Sequence, residues 1–299
     1  MPSKQSFRKL QADAEQRDKE RVAKINEMAG RDREQVAKIA EMARLLFDAN
    51  ASSIGAPIQF MADGLAVQGR NIAFLSEPNF AKAWEKARAG NANAWGGTAP
   101  DIRWRAHVAL WAAQHGLGLA GDFVECGVYA GLLSTTICHA LNFARVDKKF
   151  FLFDTYKGLP LEGLEGHELE HALERNHSYI DVLEIAKENF APFPNAIIVP
   201  GILPKSLAAV SIDKIAYLSI DLNNAPAEKA VIEALWNKIT PGAIIVLDDF
   251  GFATLEEQHD MWAEFAARQG LSIVTLPTGQ GLLIKPPTSE IRKARKKLK

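Results

Sequence analysis

The hydrophobic and polar positions follow a helical repeat near the start of the chain. Residues 17–29 read RDKERVAKINEMA and return two heptads later, in residues 31–43, as RDREQVAKIAEMA. A repeat at a multiple of seven keeps its apolar residues in one stripe on a helix, and the other positions here are charged. Such a helix needs a partner in water, so we expect residues 1–47 to form an amphipathic, coiled-coil oligomerisation helix. A helix lying on a membrane surface is the less favoured alternative, because its polar face mixes acids with bases.

The pattern loosens over the next stretch and becomes helical again before the first buried run. In residues 48–101, Gly, Asn, Ser and Pro interrupt short helical pieces, which predicts a helical cap segment. Residues 102–119, IRWRAHVALWAAQHGLGL, carry apolar residues at helical spacing. We expect this helix to pack beside the first strand and to introduce it.

Short apolar runs then alternate with amphipathic segments, as the strands and helices of an α/β fold do. The runs predict seven strands, at residues 122–126, 149–154, 196–199, 215–221, 243–248, 271–276 and 281–285. The last two are joined by residues 277–280, which are too few for a crossover, so these strands must be antiparallel. Residues 102–285 therefore predict a seven-stranded, Rossmann-like α/β sheet with an antiparallel last strand, its first and fourth strands side by side, followed by a basic tail at 286–299.

Composition narrows the class of protein. The chain has 299 residues, of which 47% are hydrophobic, enough for a full α/β core and an appended segment. Its formal net charge of -1 gives no basic field for nucleic acid. Its two cysteines, Cys126 and Cys138, lie in apolar surroundings, and the sequence shows no secretory leader and no long apolar run. We therefore expect a cytoplasmic protein without a membrane span.

The segment GDFVECGVYAG, residues 121–131, reads as a buried strand that ends in a glycine turn and enters a helix. Glu125 stands at the strand's end, and Gly127 and Gly131 follow with a spacing unlike the Gly-x-Gly-x-x-Gly of pyrophosphate-binding loops. This difference favours a ligand without phosphates, such as S-adenosylmethionine. A tight connection without any ligand is the alternative, because many α/β proteins join strand and helix in this way.

Carboxylates end three other predicted strands, where ligands of open α/β sheets bind. Asp154 can accept hydrogen bonds from both ribose hydroxyls of a nucleoside, or it can cap the turn that follows it. Asp221 ends the fourth strand, and the pair Asp248 and Asp249 ends the fifth. Adjacent carboxylates need a cation or protons, so these three residues predict an oxygen-ligand site for Mg²⁺. The alternative is that Asp248 or Asp249 caps the helix beyond Phe250.

Taken in order, the motifs GDFVECGVYAG, FDTYKGLP, IDLNN and TPGAIIVLDDFG resemble those of the macrocin-type sugar O-methyltransferases, a metal-dependent class I methyltransferase family. The resemblance implies S-adenosylmethionine-dependent, Mg²⁺-assisted methylation of a hydroxyl on a sugar or glycosylated small molecule. It implies that the cofactor is held by Glu125, Gly127, Gly131 and Asp154, and the Mg²⁺ by Asp221, Asp248 and Asp249. Asp221 and Asp248 would then also serve catalysis.

This chain departs from the family at Asn223, where the motif usually has a second acid that can act as base. A carboxamide cannot take a proton at neutral pH, so we expect Asn223 to orient the acceptor instead. Two alternatives stay open: a methyltransferase for catechols or other small phenols, and a non-catalytic assembly protein on the same fold.

Histidines are the remaining chemical candidates. His167, His171 and His177 lie in a Glu-rich insert that follows the FDTYKGLP motif, and His259 lies in the helix after Asp249. His167 and His171 have the spacing of a metal pair on a helix, but a solvated face is the preferred interpretation. The insert could cover the acceptor, and one of these histidines could replace the missing base.

Overall fold

The computed structural model describes Lys38 and residues 57–161 and 166–287. Apart from Lys38, the predicted oligomerisation helix lies outside the described residues, as does the basic tail beyond residue 287. The chain divides into two compact units. The smaller one contains described residues 57–61 and 66–71, and the larger one contains 62–65, 72–161 and 166–287.

A two-stranded hairpin opens the described part, in the stretch where the sequence predicts helical pieces. Its strands are β1 (Ile58–Ala62) and β2 (Leu65–Gln68). Asp63 and Gly64 make the turn, with φ angles of 54° and 70°. An Asp-Gly pair is favoured in tight hairpin turns because both residues accept a positive φ. The two turn residues belong to the larger unit.

The larger unit alternates helices and strands. Its helices are α1 (Pro78–Asn91), α2 (Arg103–Leu117), α3 (Leu132–Leu141), α4 (Gly166–Asn176), α5 (Leu183–Phe190), α6 (Ala225–Leu235) and α7 (Glu256–Gln269). Its strands are β3 (Asp122–Cys126), β4 (Phe150–Asp154), β5 (Ala196–Pro200), β6 (Ile215–Ile220), β7 (Ile239–Leu247), β8 (Val274–Thr275) and β9 (Gly281–Ile284).

Seven strands form one sheet in the order β5-β4-β3-β6-β7-β9-β8. The pairs from β5 to β7 are parallel, whereas β9 is antiparallel to both β7 and β8. The predicted fold class is therefore confirmed, including the antiparallel last strand and the contact between the first and fourth strands, β3 and β6. The direction of chain progression reverses between these two strands, so their carboxyl ends open a crevice of the kind in which α/β sheets bind ligands.

Alternate residues of the central strands pack into two apolar layers, one on each face of the sheet. Phe123, Phe150 and Tyr217 belong to the layer that contains the buried residues of α2 and α3. Val124, Phe151 and Leu218 belong to the layer that contains those of α6 and α7. Burial on both faces explains why these strands read as continuous apolar runs. None of the helices in the described residues is long and apolar enough to cross a membrane.

Candidate active site

The glycine loop after β3 is fixed by a close approach of two backbones. Gly127 has a φ of 89°. A Cβ at this position would overlap the carbonyl oxygen of Asp221 and lie 2.6 Å from its carbonyl carbon. Glycine is therefore required both by conformation and by space, and it brings the loop against the end of β6. Gly131, with a φ of 91°, is the N-cap residue of α3, and a Cβ there would lie 2.5 Å from the Phe190 ring.

Glu125 lies next to this loop and is almost completely buried, at 3% exposure. Among the described residues, none donates a hydrogen bond to its Oε2 atom, although the side chain lines the cavity at the strand ends. Burial raises the pKa of this carboxyl well above its usual value, and the charge of Asp221 adds to the effect. A buried acceptor without a donor is costly, so a ligand group that donates to Oε2 would be stabilised here.

Asp154 is the residue that shapes the glycine loop. Its Oδ2 accepts hydrogen bonds from the backbone N–H groups of Val128 and Tyr129, at 2.6 and 2.7 Å. Its Oδ1 accepts one from the N–H of Tyr156 at 2.6 Å, and the Thr155 hydroxyl donates a longer one of 3.4 Å. Asp154 thus caps the turn that follows it and also lines the cavity. A ribose that binds to this carboxylate would share it with these donors.

The three predicted metal ligands meet at the carboxyl ends of β6 and β7. One oxygen from each of Asp221, Asp248 and Asp249 lies within 4.8 Å of the others. Burial raises the pKa of Asp221 well above its usual value, and burial together with the charge of Asp248 raises the pKa of Asp249 to about 7. No described residue donates to Oδ2 of Asp249. Neither Asp248 nor Asp249 caps the following helix, because the N-cap residue of α7 is Leu255.

Asp248 already has two partners. Arg105 donates to its Oδ2 at 2.6 Å, and the side-chain amide of Gln280 donates to its Oδ1 at 3.0 Å. The same guanidinium forms a bidentate ion pair with Asp63 at the hairpin turn, at 2.7 and 2.8 Å. Burial alone would lower the pKa of Arg105, but Asp248 and Asp63 outweigh it and the pKa is raised, so this side chain is a fixed positive charge.

Asn223 follows Asp221 in a left-handed conformation, with a φ of 52° that asparagine tolerates well. Its Nδ2 donates to Oδ1 of Asp221 at 2.8 Å, and its Oδ1 has no donor among the described residues. The next residue, Asn224, caps α6 by accepting from the N–H of Ala227. Buried Glu228 also stabilises this loop, because its carboxylate accepts a hydrogen bond from the N–H of Leu222 at 3.2 Å.

One cavity of about 220 Å³ lies at these strand ends. Of the predicted site residues, it is lined by Glu125, Gly127, Asp154, Asp221, Asn223, Asp248 and Asp249. Gly131 is not among the lining residues, and its assignment to the cofactor stays a prediction. The lining contains no histidine among the described residues. The side chains of His167 and His171 lie outside the described residues, and His259 stacks on Phe250 with its ring half exposed.

Four residues that contribute to the site were not predicted from the sequence: Asp63, Arg105, Glu228 and Gln280. Arg105 could have been noticed as an arginine among the apolar residues of IRWRAHVALW. Asp63 could have been noticed only as half of the Asp-Gly turn signal. Glu228 and Gln280 have no local signal, because their roles depend on elements that are distant in sequence.

Comparison with known proteins identifies the family of this chain. Residues 111–275, more than half of the chain, match the family model described as macrocin O-methyltransferase, TylF. The chain belongs to the macrocin O-methyltransferase family. A relative in sequence, demethyldecarbamoylnovobiocin O-methyltransferase from Streptomyces niveus, is 26% identical over 145 residues. That match spans 45% of this chain and 55% of the relative, so this chain covers about half of the relative's length.

A solved structure, that of the O-methyltransferase NovP, is similar in fold. It aligns with 70% of this chain and 100% of its own, with a TM-score of 0.58 and 18% identity. At that identity the likeness shows the fold alone. The macrocin O-methyltransferase family match and the fold together confirm the resemblance that the sequence motifs indicated.

Proposed function

We propose that this protein transfers a methyl group from S-adenosylmethionine to a hydroxyl of a sugar or a glycosylated small molecule, with Mg²⁺ at Asp221, Asp248 and Asp249. One observation carries the proposal: the glycine loop, Asp154 and the three-carboxylate cluster open into the same cavity. Membership of the macrocin O-methyltransferase family and the names of its relatives support the reaction and the class of acceptor.

The cofactor end of the cavity fits a cationic, amino-acid-bearing ligand. Oε2 of Glu125 is a buried acceptor that no described residue satisfies, and an ammonium group would supply the missing donor. Gly127 lets the loop pack against the backbone of Asp221, and Asp154 keeps the N–H groups of Val128 and Tyr129 turned toward itself. The loop is therefore preorganised before the ligand arrives, which lowers the entropic cost of binding.

The carboxylate cluster fits a hard divalent cation. Its donors are all oxygens, they lie within 4.8 Å of one another, and Oδ2 of Asp249 has no donor among the described residues. Mg²⁺ binds such oxygen sets and keeps other positions for water and substrate. When bound, the ion would polarise a hydroxyl and fix its oxygen for attack on the methyl group.

Asn223 is placed to orient the acceptor. Asn223 lines the cavity, its Nδ2 donates to Asp221, and its carbonyl Oδ1 has no donor among the described residues. A hydroxyl that donates to Oδ1 would be directed toward the cluster, and the carboxamide itself would not take the proton. In this proposal Asn223 therefore positions the acceptor, in place of the family's second acid.

Binding of S-adenosylhomocysteine and NAD, measured by titration calorimetry, tests the cofactor assignment. We expect S-adenosylhomocysteine to bind and NAD not to bind. Glu125→Gln replaces an acceptor oxygen by a donor and should weaken binding by about 10- to 150-fold, as loss of a charged hydrogen bond does. Asp122→Asn, at the other end of β3, should bind like the wild type. Binding of NAD alone would overturn the assignment.

A further inference from the structure

Arg105 is a buried cation in direct contact with the proposed metal ligands. Its side chain is 16% exposed, and the side chain of Asp248, to which it donates at 2.6 Å, is 2% exposed. Its other two donors hold Asp63, whose side chain is 14% exposed. The guanidinium therefore bridges the hairpin turn and the carboxylate cluster with three charge-assisted hydrogen bonds.

A positive charge beside the cluster offsets the repulsion among its carboxylates. Three ionised carboxylates within 4.8 Å of one another repel strongly at this degree of burial. Arg105 offsets one of the three charges permanently, because a guanidinium stays protonated in proteins. Arg175 also lines the cavity and lowers the pKa of Asp249, and Arg105 donates a hydrogen bond directly to Asp248.

Orientation of Asp248 does not depend on Arg105 alone. Gln280 donates to the other carboxylate oxygen, and this amide is completely buried. Loss of the guanidinium would therefore remove a positive charge beside the cluster while leaving Asp248 held from the opposite side. The effect on a divalent cation should then follow from electrostatic repulsion, because like charges a few ångströms apart in a buried site repel strongly.

We propose that Arg105 is the resident counter-cation of the carboxylate cluster: it stabilises the metal-free protein and lowers the affinity of the cluster for a divalent cation. The role is one of charge, exerted through Asp248, which makes Arg105 a positioning residue. Asp63, in the hairpin turn, weakens this effect of Arg105 by offsetting part of the guanidinium charge. The inference rests on the metal part of the proposed function.

The test is titration of Mg²⁺ and Mn²⁺ into metal-free protein by calorimetry, without cofactor or acceptor, together with thermal unfolding in chelator. Arg105→Met should bind the ions at least about tenfold more tightly and should unfold at a lower temperature when metal-free. Arg105→Lys, which keeps the charge, should stay close to the wild type in metal affinity. Arg103→Met is the matched control, because Arg103 lies two residues from Arg105 on α2 and forms a bidentate pair with Asp101, and it should leave metal affinity unchanged.

Asp63→Asn should change the metal affinity in the opposite direction, and it still tests the inference if Arg105→Met does not fold. Asparagine tolerates the left-handed turn position. Because it carries no negative charge, it would no longer offset the guanidinium charge of Arg105, and the metal ion should bind more weakly. Unchanged or weaker binding in Arg105→Met would overturn the inference and would make Arg105 a structural anchor for Asp248. Absence of metal binding by every variant would overturn it together with the metal part of the proposed function. Binding of S-adenosylhomocysteine is measured in parallel and would show whether the cofactor assignment still stands.

Discussion

Substitution of Gly127 by alanine tests how the cofactor loop and the carboxylate cluster are coupled. The added Cβ would overlap the carbonyl oxygen of Asp221 and lie 2.6 Å from its carbonyl carbon, so the end of β6 must move. Alanine at a φ of 89° also costs about 1 to 2 kcal/mol of backbone strain. Overpacking against backbone adds about 1 to 3 kcal/mol, so we expect a total loss of about 2 to 5 kcal/mol in the free energy of unfolding.

Gly97→Ala is the matched control for this experiment. Gly97 has a φ of 109°, and a Cβ there would meet nothing within 4 Å. Gly97→Ala should therefore lower the free energy of unfolding only by the cost of backbone strain, about 1 to 2 kcal/mol. For a unit of this size each kcal/mol lowers Tm by about 2 to 4 °C, so thermal unfolding can separate the two variants.

The two ligand readouts distinguish displacement of Asp221 from a general loss of stability. Well below its Tm, Gly127→Ala should bind both S-adenosylhomocysteine and Mg²⁺ more weakly, because one substitution disturbs the loop and a proposed metal ligand together. Gly97→Ala should leave both affinities unchanged. Equal Tm values for the two variants, or normal binding of both ligands by Gly127→Ala, would refute the argument from close approach.

The remaining predictions concern the cofactor, the metal and a buried acid. Asp154→Ala frees the N–H groups of Val128 and Tyr129 and should weaken S-adenosylhomocysteine binding by about 1.5 to 3 kcal/mol, measured by calorimetry; unchanged affinity would leave Asp154 as a turn cap only. Chelation with EDTA, or Asp248→Asn, should abolish turnover and leave cofactor binding nearly intact, and full activity in chelator would remove the metal from the proposal. Burial raises the pKa of Glu228 to about 7, so its contribution to stability is present below about pH 4.5 and is lost as the pH rises through 7. In chelator, Glu228→Gln should therefore flatten the fall of Tm between pH 5 and 8, and an unchanged slope would contradict this assignment.

Much of the fold could be predicted because the buried strands carry strong local signals. Strand β6 is buried at every position, so its apolar run is continuous and its end at Asp221 is easy to place. The antiparallel end of the sheet followed from the shortness of residues 277–280 alone. β8 was predicted too long: the structure has only Val274 and Thr275 as strand, at the edge of the sheet, where one partner, β9, supplies all the ladder hydrogen bonds.

The hairpin was not predicted because its strands have only five and four residues, and apolar and polar residues do not alternate regularly along them. Such a short two-stranded hairpin gives little local signal. The Asp-Gly pair was the available signal, and it stands between MA and LA in residues 61–66, a context too short for periodicity to decide.

The site residues that end strands could be predicted from the sequence, whereas the site residues that other elements contribute could not. Glu125, Asp154, Asp221 and the pair at 248 and 249 share the cavity, because the carboxyl ends of parallel strands meet at one edge of a sheet. Arg105 enters from the helix before β3, and its contact with Asp248 spans 143 positions of sequence. Such a pairing is set by tertiary packing, which no local pattern records.

Transfer of a labelled methyl group tests the central claim most directly. The protein is incubated with S-adenosylmethionine carrying an isotope-labelled methyl group, Mg²⁺, and separate panels of free sugars, glycosides and catechols, and the products are identified by mass spectrometry. We predict that label appears on an oxygen of a sugar or glycoside, that Glu125→Gln reduces it, and that EDTA abolishes it. Label only on catechols would change the acceptor class, and S-adenosylmethionine binding with no transfer to any acceptor would contradict the account and favour a non-catalytic protein on this fold.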